Sequence, residues 1–148
     1  MWANDTLINI RNATPQDLEI RNTTTDRGWG GSSAVLVRAG TEPGFAAGLM
    51  GGPQTDAYLW IRFPWQESYS YGIWCENHEV GVPDVRIYWQ NGRDWQDISG
   101  QRDMRENWTF ELTHRGYRFH VHRWSNGKEP LDDYDEWYTR FFVTMSLA

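Results

Sequence analysis

Alternation dominates this chain. Wherever apolar residues gather, they recur at every second position, in short runs closed by Gly, Asn, Asp or Pro. No stretch repeats its apolar residues with helical spacing over a useful length. Strands are predicted near 6–12, 17–22, 33–39, 44–49, 57–63, 69–75, 84–90, 94–98, 107–113, 117–124 and 137–146. Many short strands with frequent turn signals predict an all-β chain, arranged as a single-domain antiparallel β-sandwich over residues 1–148.

A chain of 148 residues is the size of one domain. Folding at this length removes about 70% of the unfolded chain's surface from water, enough for a real core. No internal repeat, low-complexity tract or linker divides it. The charge balance is 14 basic residues against 20 acidic ones, a net −6. That argues against a nucleic-acid partner, which needs a basic stripe to neutralise phosphates. It argues equally against purely electrostatic attraction to anionic lipid. Cys75 is the only cysteine, which excludes an intramolecular disulfide and any zinc site built on several thiolates. No apolar run approaches the roughly 20 residues of a membrane-spanning helix. The opening MWANDTLINI has no basic region followed by an apolar stretch. The expectation is a protein without a signal peptide, made in the cytosol. The N-x-Thr sequons at Asn4, Asn12, Asn22 and Asn107 then carry no meaning.

Two hairpins are specific enough to predict pairings. In DVRIYWQNGRDWQDI, Asn91-Gly92 is a strong two-residue turn signal. It sets Tyr88 opposite Trp95 and Arg86 opposite Asp97 on one face, with Val85, Ile87, Trp89 and Ile98 on the other. In NWTFELTHRGYRFHVHRW, a turn at His114-Arg115 pairs Leu112 with Tyr117, Phe110 with Phe119 and Trp108 with Val121. A bulge at Gly116 is the alternative and shifts the pairing. The last strand is expected to turn Phe141, Val143, Met145 and Leu147 inward.

Few residues suggest catalysis. His120 and His122 share one strand face, a spacing compatible with metal binding, but no third ligand is specified and Arg118 and Arg123 flank them. Asp132, Asp133 or Asp135 are the candidates to complete such a site. Cys75 has His78 three residues on, without an orienting partner or oxyanion hole, and reads as a structural cysteine. GFAAGLMGG lacks the strand-to-helix setting of a phosphate loop. Residues 129–136 hold five acids and no base, with no EF-hand spacing, and read as a solvated loop. No catalytic residue, metal or cofactor is expected.

The aromatic residues are more informative. Ten tryptophans are too many for one core, and several stand in polar, turn-rich segments. In YLWIRFPWQESYSYGIWCENH a strand ends at Phe63-Pro64, after which Trp65, Tyr69, Tyr71 and Trp74 are interleaved with Gln66, Glu67, Ser68, Ser70 and Asn77. This mixture predicts an aromatic platform with a polar rim. Such a platform stacks on sugars, sits at a lipid headgroup or cages a choline.

The order of motifs resembles the actinoporin-like superfamily of β-sandwiches: sea-anemone cytolysins, aegerolysin-type cytolysins with their bacterial relatives, and fungal fruit-body lectins. LINIRNATPQDLEIRNTTTDRGWGG resembles their first hairpin, with its Asn-x-(Ser/Thr) turn and following Gly/Trp segment. AYLWIRFPW resembles the strand that ends in a Pro-aromatic step, and SYSYGIW and VRIYWQNG resemble the aromatic loop and the next strand. The resemblance covers roughly residues 6–92. It implies recognition of a membrane lipid headgroup, often a sphingolipid, or of a glycan. Pro64 and Trp65 match the Pro-aromatic step beside the headgroup site, and Tyr69, Tyr71 and Trp74 match the aromatic loop. The amphipathic segment that precedes the first strand in anemone toxins has no counterpart here, and the net −6 differs from many of them. The aegerolysin-like branch fits better, with compact, often acidic proteins that depend on a larger partner protein to form pores. The resemblance thus implies a non-enzymatic lipid-headgroup binder acting at a membrane surface, with a partner protein or self-association in any pore. A lectin on the same scaffold is the alternative, and a small metal-dependent enzyme using His120 and His122 is the third.

Overall fold

A computed structural model describes residues 6–24, 34–37, 39–40, 45–49, 54–63, 70–78, 82–124 and 139–148. These form twelve strands and, among the described residues, no helix. The strands are β1 (Thr6–Ala13), β2 (Leu18–Thr24), β3 (Ala34–Val37), β4 (Phe45–Leu49), β5 (Gln54–Arg62), β6 (Tyr71–His78), β7 (Asp84–Asn91), β8 (Asp94–Asp97), β9 (Arg102–Asp103), β10 (Thr109–His114), β11 (Tyr117–Trp124) and β12 (Thr139–Leu147). Every predicted strand forms; only the two-residue β9 was not foreseen. One sheet has the order β10-β11-β12-β1-β4. The other runs β3-β2-β5-β6-β7-β8, with β9 paired to β7.

Among the described residues the pairings are antiparallel with one exception that corrects the expectation: β1 and β12 lie side by side in parallel, from Thr6 opposite Thr139 to Ala13 opposite Ser146. Parallel neighbours need a long crossover. Here almost the whole chain is the crossover.

The alternation that predicts the strands also builds the core. Ile8 and Ile10, Phe119 and Val121, and Phe141, Val143 and Met145 are the inward residues of the first sheet. Leu18 and Ile20, Leu59 and Ile61, Tyr71, Ile73 and Cys75, and Val85 and Ile87 are those of the second. They merge into one buried cluster, so the two sheets face each other in a sandwich-like arrangement. Leu147 was expected to join them, but it is 53% exposed, at the end of β12 beyond the last core layer.

Both predicted turns sit one residue later than expected. Asn91 pairs with Asp94 across Gly92-Arg93, and Gly92 takes φ 67° at the first central position, the type II′ pattern. His114 pairs with Tyr117 across Arg115-Gly116, with φ 49° and 85°, as a type I′ turn requires. Tyr88 therefore faces Asp97 and Gln90 faces Trp95, while Phe110 faces Val121 and Leu112 faces Phe119. Moving a turn by one residue changes each partner by two, so every side chain keeps its predicted face.

The expected first hairpin does not form, because β1 and β2 belong to different sheets; the turn that carries the chain from one sheet to the other is held by Asn12, which is fully buried. Its Oδ1 accepts the Thr14 N–H at 3.0 Å and the Thr14 hydroxyl at 2.7 Å, and its Nδ2 donates to the Gln16 carbonyl at 2.7 Å. This local side-chain network satisfies backbone groups in the turn where the chain crosses between the sheets.

Candidate functional site

The expected site residues separate. Pro64, Trp65 and Tyr69 lie outside the described residues, as does the acidic loop 129–136. Tyr71 does not face solvent. It is 2% exposed and shares the inward parity of Ile73 and Cys75. Its ring packs edge-on against Phe119 of the opposite sheet at 4.9 Å, and its hydroxyl lies 3.0 Å from His114 Nδ1. Its role as a surface contact is corrected accordingly, because strand alternation sends Tyr71 and Trp74 to opposite faces. Trp74 points outward, and it has company there.

On the outer face of the second sheet, β5 presents Tyr58 and Trp60, β6 presents Gly72 and Trp74, β7 presents Arg86 and Tyr88, and β8 presents Trp95 and Asp97. Tyr58 stacks on Trp74 at 5.1 Å and lies 6.0 Å from Trp60, and Trp74 stacks on Tyr88 at 6.5 Å. Trp60 also reaches Trp95 at 4.9 Å, although two strands lie between them. Gly72 makes that reach possible. It stands directly between Trp60 and Tyr88, and a Cβ there would lie 2.5 Å from Cζ3 of Trp60. The missing side chain is the seat of the indole.

The result is a plate of five rings with charged edges. Arg86 lies over Trp74 at 5.7 Å, within 4.0 Å of Asp97, and donates to Gln101 Oε1 at 3.0 Å. Hydrogen bonding to Tyr88, with the nearby Asp97 and Asp84 carboxylates, raises its pKa and holds it charged. On the far flank Arg62 pairs with Glu19. Trp95 remains 37% exposed. Five buried side-chain polar atoms among the described residues have no hydrogen-bond partner, and three of them, Trp74 Nε1, Arg86 Nε and Gln90 Oε1, belong to this face. An orphaned buried polar atom costs about 1–3 kcal/mol, and such costs persist where a ligand relieves them.

The inward side of the same sheet is a structural joint. His114, at the end of β10, meets Tyr71 and lies 5.0 Å from Trp89, and the Arg115 guanidinium covers Trp89 at 4.3 Å. Burial, with a smaller contribution from Tyr117, pushes the Tyr71 pKa up to about 12, so its hydroxyl stays protonated beside His114 Nδ1. Burial and then Arg115 push His114 below its usual 6.5. A depressed histidine pKa gives stability that is present above the unfolded value and is lost as pH falls through the folded one. The melting temperature is expected to drop as pH falls below about 6.5, and His114→Gln is expected to flatten that dependence. Thermal unfolding at several pH values checks this; an unchanged slope in the variant would assign it elsewhere.

The remaining candidates gather less. His120 and His122 lie on the outer face of the first sheet, opposite Glu111 and Thr109, and His122 stacks on Phe142 at 6.4 Å. Among the described residues no three His, Cys, Asp or Glu side chains converge to hold a metal. Cys75 is buried in the core. Tyr88 and Trp95, with Arg86 and Asp97 beside them, follow from the sequence of one hairpin, whereas Tyr58, Trp60 and Gly72 join them only in the folded sheet. Their signal was available: in AYLWIRF Tyr58 and Trp60 fall on one parity and Leu59, Ile61 and Phe63 on the other. No family model matches the chain and no curated protein matches it either, so the plate is interpreted from its own chemistry.

Proposed function

We propose that this protein is a non-catalytic binding module whose ring-lined sheet face holds a carbohydrate. The observation that carries this reading is the plate of Tyr58, Trp60, Trp74, Tyr88 and Trp95, assembled from four adjacent strands around Gly72. A pyranose offers an apolar C–H face to aromatic rings and hydroxyls around its rim. The rim of this plate has matching groups in Arg86, Gln90, Asp97 and Gln101. Each ring partly covered by sugar contributes on the order of 1 kcal/mol, so several together give useful affinity without a basic patch.

A lipid headgroup at a membrane surface, as in the aegerolysin-like proteins, is the second reading. What favours it is that Trp74, the one outward-facing described member of the contact set that resemblance implies, belongs to this plate. A partner protein or self-association would then complete any pore. One titration series separates the two. Tryptophan fluorescence is followed during addition of neutral and amino-sugar oligosaccharides, and of phosphatidylcholine vesicles with and without sphingomyelin. Saturable change with an oligosaccharide and none with either vesicle is expected. A blue shift confined to vesicles would replace the carbohydrate reading with the lipid one.

A further inference from the structure

A strand at the edge of a sheet holds backbone groups that no neighbouring strand takes up. β10 is such an edge. Its closing pair with β11, His114 and Tyr117, spans a two-residue turn and exchanges both backbone bonds. Alternation then commits Leu112 and Phe110 to the same ladder. The Arg123 N–H, which donates to the Trp108 carbonyl at 3.0 Å, continues it. The N–H and C=O groups of Thr109, Glu111 and Thr113 therefore point away from β11, and all three residues are exposed. Among the described residues nothing bonds these groups.

This edge is also unguarded. β8, which ends the second sheet, is four residues long, two of them aspartates, and its Asp97 caps the Ser99 and Gly100 N–H groups. β10 has six residues, TFELTH, with one carboxylate and no lysine or proline. Trp108, just before it, is 49% exposed. The edge is complementary to itself in one register. A two-fold axis centred on Glu111 would set that carboxylate directly against its copy, which destabilises a strand pair. An axis at Leu112 would leave Trp108 uncovered. An axis at Phe110 sets Phe110 against its copy, Trp108 opposite Leu112 of the second copy, and Thr109 opposite Glu111 of the second copy. The outward backbone groups of Thr109 and Glu111 then meet as bonded pairs, and the exposed indole gains an apolar neighbour.

We propose that the protein forms a two-fold dimer by antiparallel pairing of β10 with β10 of a second copy, centred on Phe110. The axis of such a pair stands perpendicular to the joined sheet. Both second sheets lie on one side of it, and their outer faces point the same way. On the carbohydrate reading, the dimer offers two ring plates to one surface, so a ligand displayed there in many copies is held by both.

Sedimentation velocity of the protein alone at rising concentration tests the pairing. A monomer–dimer equilibrium is expected, with a dissociation constant on the order of 10 μM, since a single strand pair makes a small interface. Glu111→Pro removes an N–H that the β10–β11 ladder does not use, a change an edge strand tolerates. Trp108→Lys places a charge at an exposed position. With folding checked by circular dichroism, each is expected to weaken dimerisation by about tenfold or more. Phe110→Cys is expected to give a disulfide-linked dimer under mild oxidation, because facing residues at the axis lie about 4.5 Å apart at Cα. The parent protein, whose Cys75 is buried, is the control. A monomer at every concentration up to about 100 μM would overturn the proposal. So would a dimer unmoved by both edge variants, or cross-linking through Glu111→Cys in place of Phe110→Cys. None of these measurements uses a sugar, so failure of the carbohydrate reading would leave the dimer standing.

Discussion

Tyr71→Ala is expected to lower folding stability by about 3–5 kcal/mol, the cost of deleting a large aromatic ring from a packed interior. The ring lies between the sheets, against Phe119 at 4.9 Å and within 6.5 Å of Tyr117. Its loss leaves a cavity that the sheets cannot close without breaking their own ladders. Tyr71→Phe keeps the packing and removes only the bond to His114, so it is expected to cost about 1–2 kcal/mol. Urea unfolding of both variants measures the difference. A surface contact residue would behave oppositely, losing ligand affinity at nearly constant stability. A Tyr71→Ala protein as stable as the parent would return Tyr71 to the binding site and refute the inward assignment.

The contrast between Tyr71 and Trp74 shows what local sequence encodes. A period of two states that they lie on opposite faces but does not say which face is wet. The neighbours do: Ile73 and Cys75 share the parity of Tyr71, and Gly72 and Glu76 share that of Trp74. Grouping all the aromatics of SYSYGIW as one loop ignored that vote. Strand positions were legible because short-range alternation and turn residues determine them. The turns were off by one residue because the choice between them depends on which position takes positive φ, and Asn91-Gly92 and Gly92-Arg93 both allow it. Faces survived that error because parity is insensitive to it. The plate itself was only half legible. Tyr88 and Trp95 belong to one hairpin and could be paired by local argument. Tyr58 and Trp60 reach them only because β6 lies between β5 and β7, and sheet order is not a local property. The parallel contact of β1 with β12 was invisible for the same reason.

Gly72 offers the sharpest test of the plate. Gly72→Ala places a Cβ 2.5 Å from Trp60 Cζ3 and 2.7 Å from its Cε3, so the indole must leave its seat. The expected cost is about 1–3 kcal/mol of stability from overpacking, with a loss of ligand affinity, because Trp60 then no longer lies level with Tyr58 and Trp95. Trp60→Ala removes the ring outright and is expected to weaken sugar binding by about 30-fold, the effect of losing a central aromatic contact worth about 2 kcal/mol. The two changes should not add. With Trp60 already alanine, nothing remains for a Cβ at position 72 to displace, so the double variant is expected to be about as stable and to bind about as weakly as Trp60→Ala alone. A double-mutant cycle read by urea unfolding and by sugar titration measures that coupling. Additive stability losses would mean that the Gly72 Cβ meets something other than Trp60. Unchanged sugar affinity in Gly72→Ala would mean that the seated indole is not part of the binding face, and the carbohydrate reading would lose its central residue.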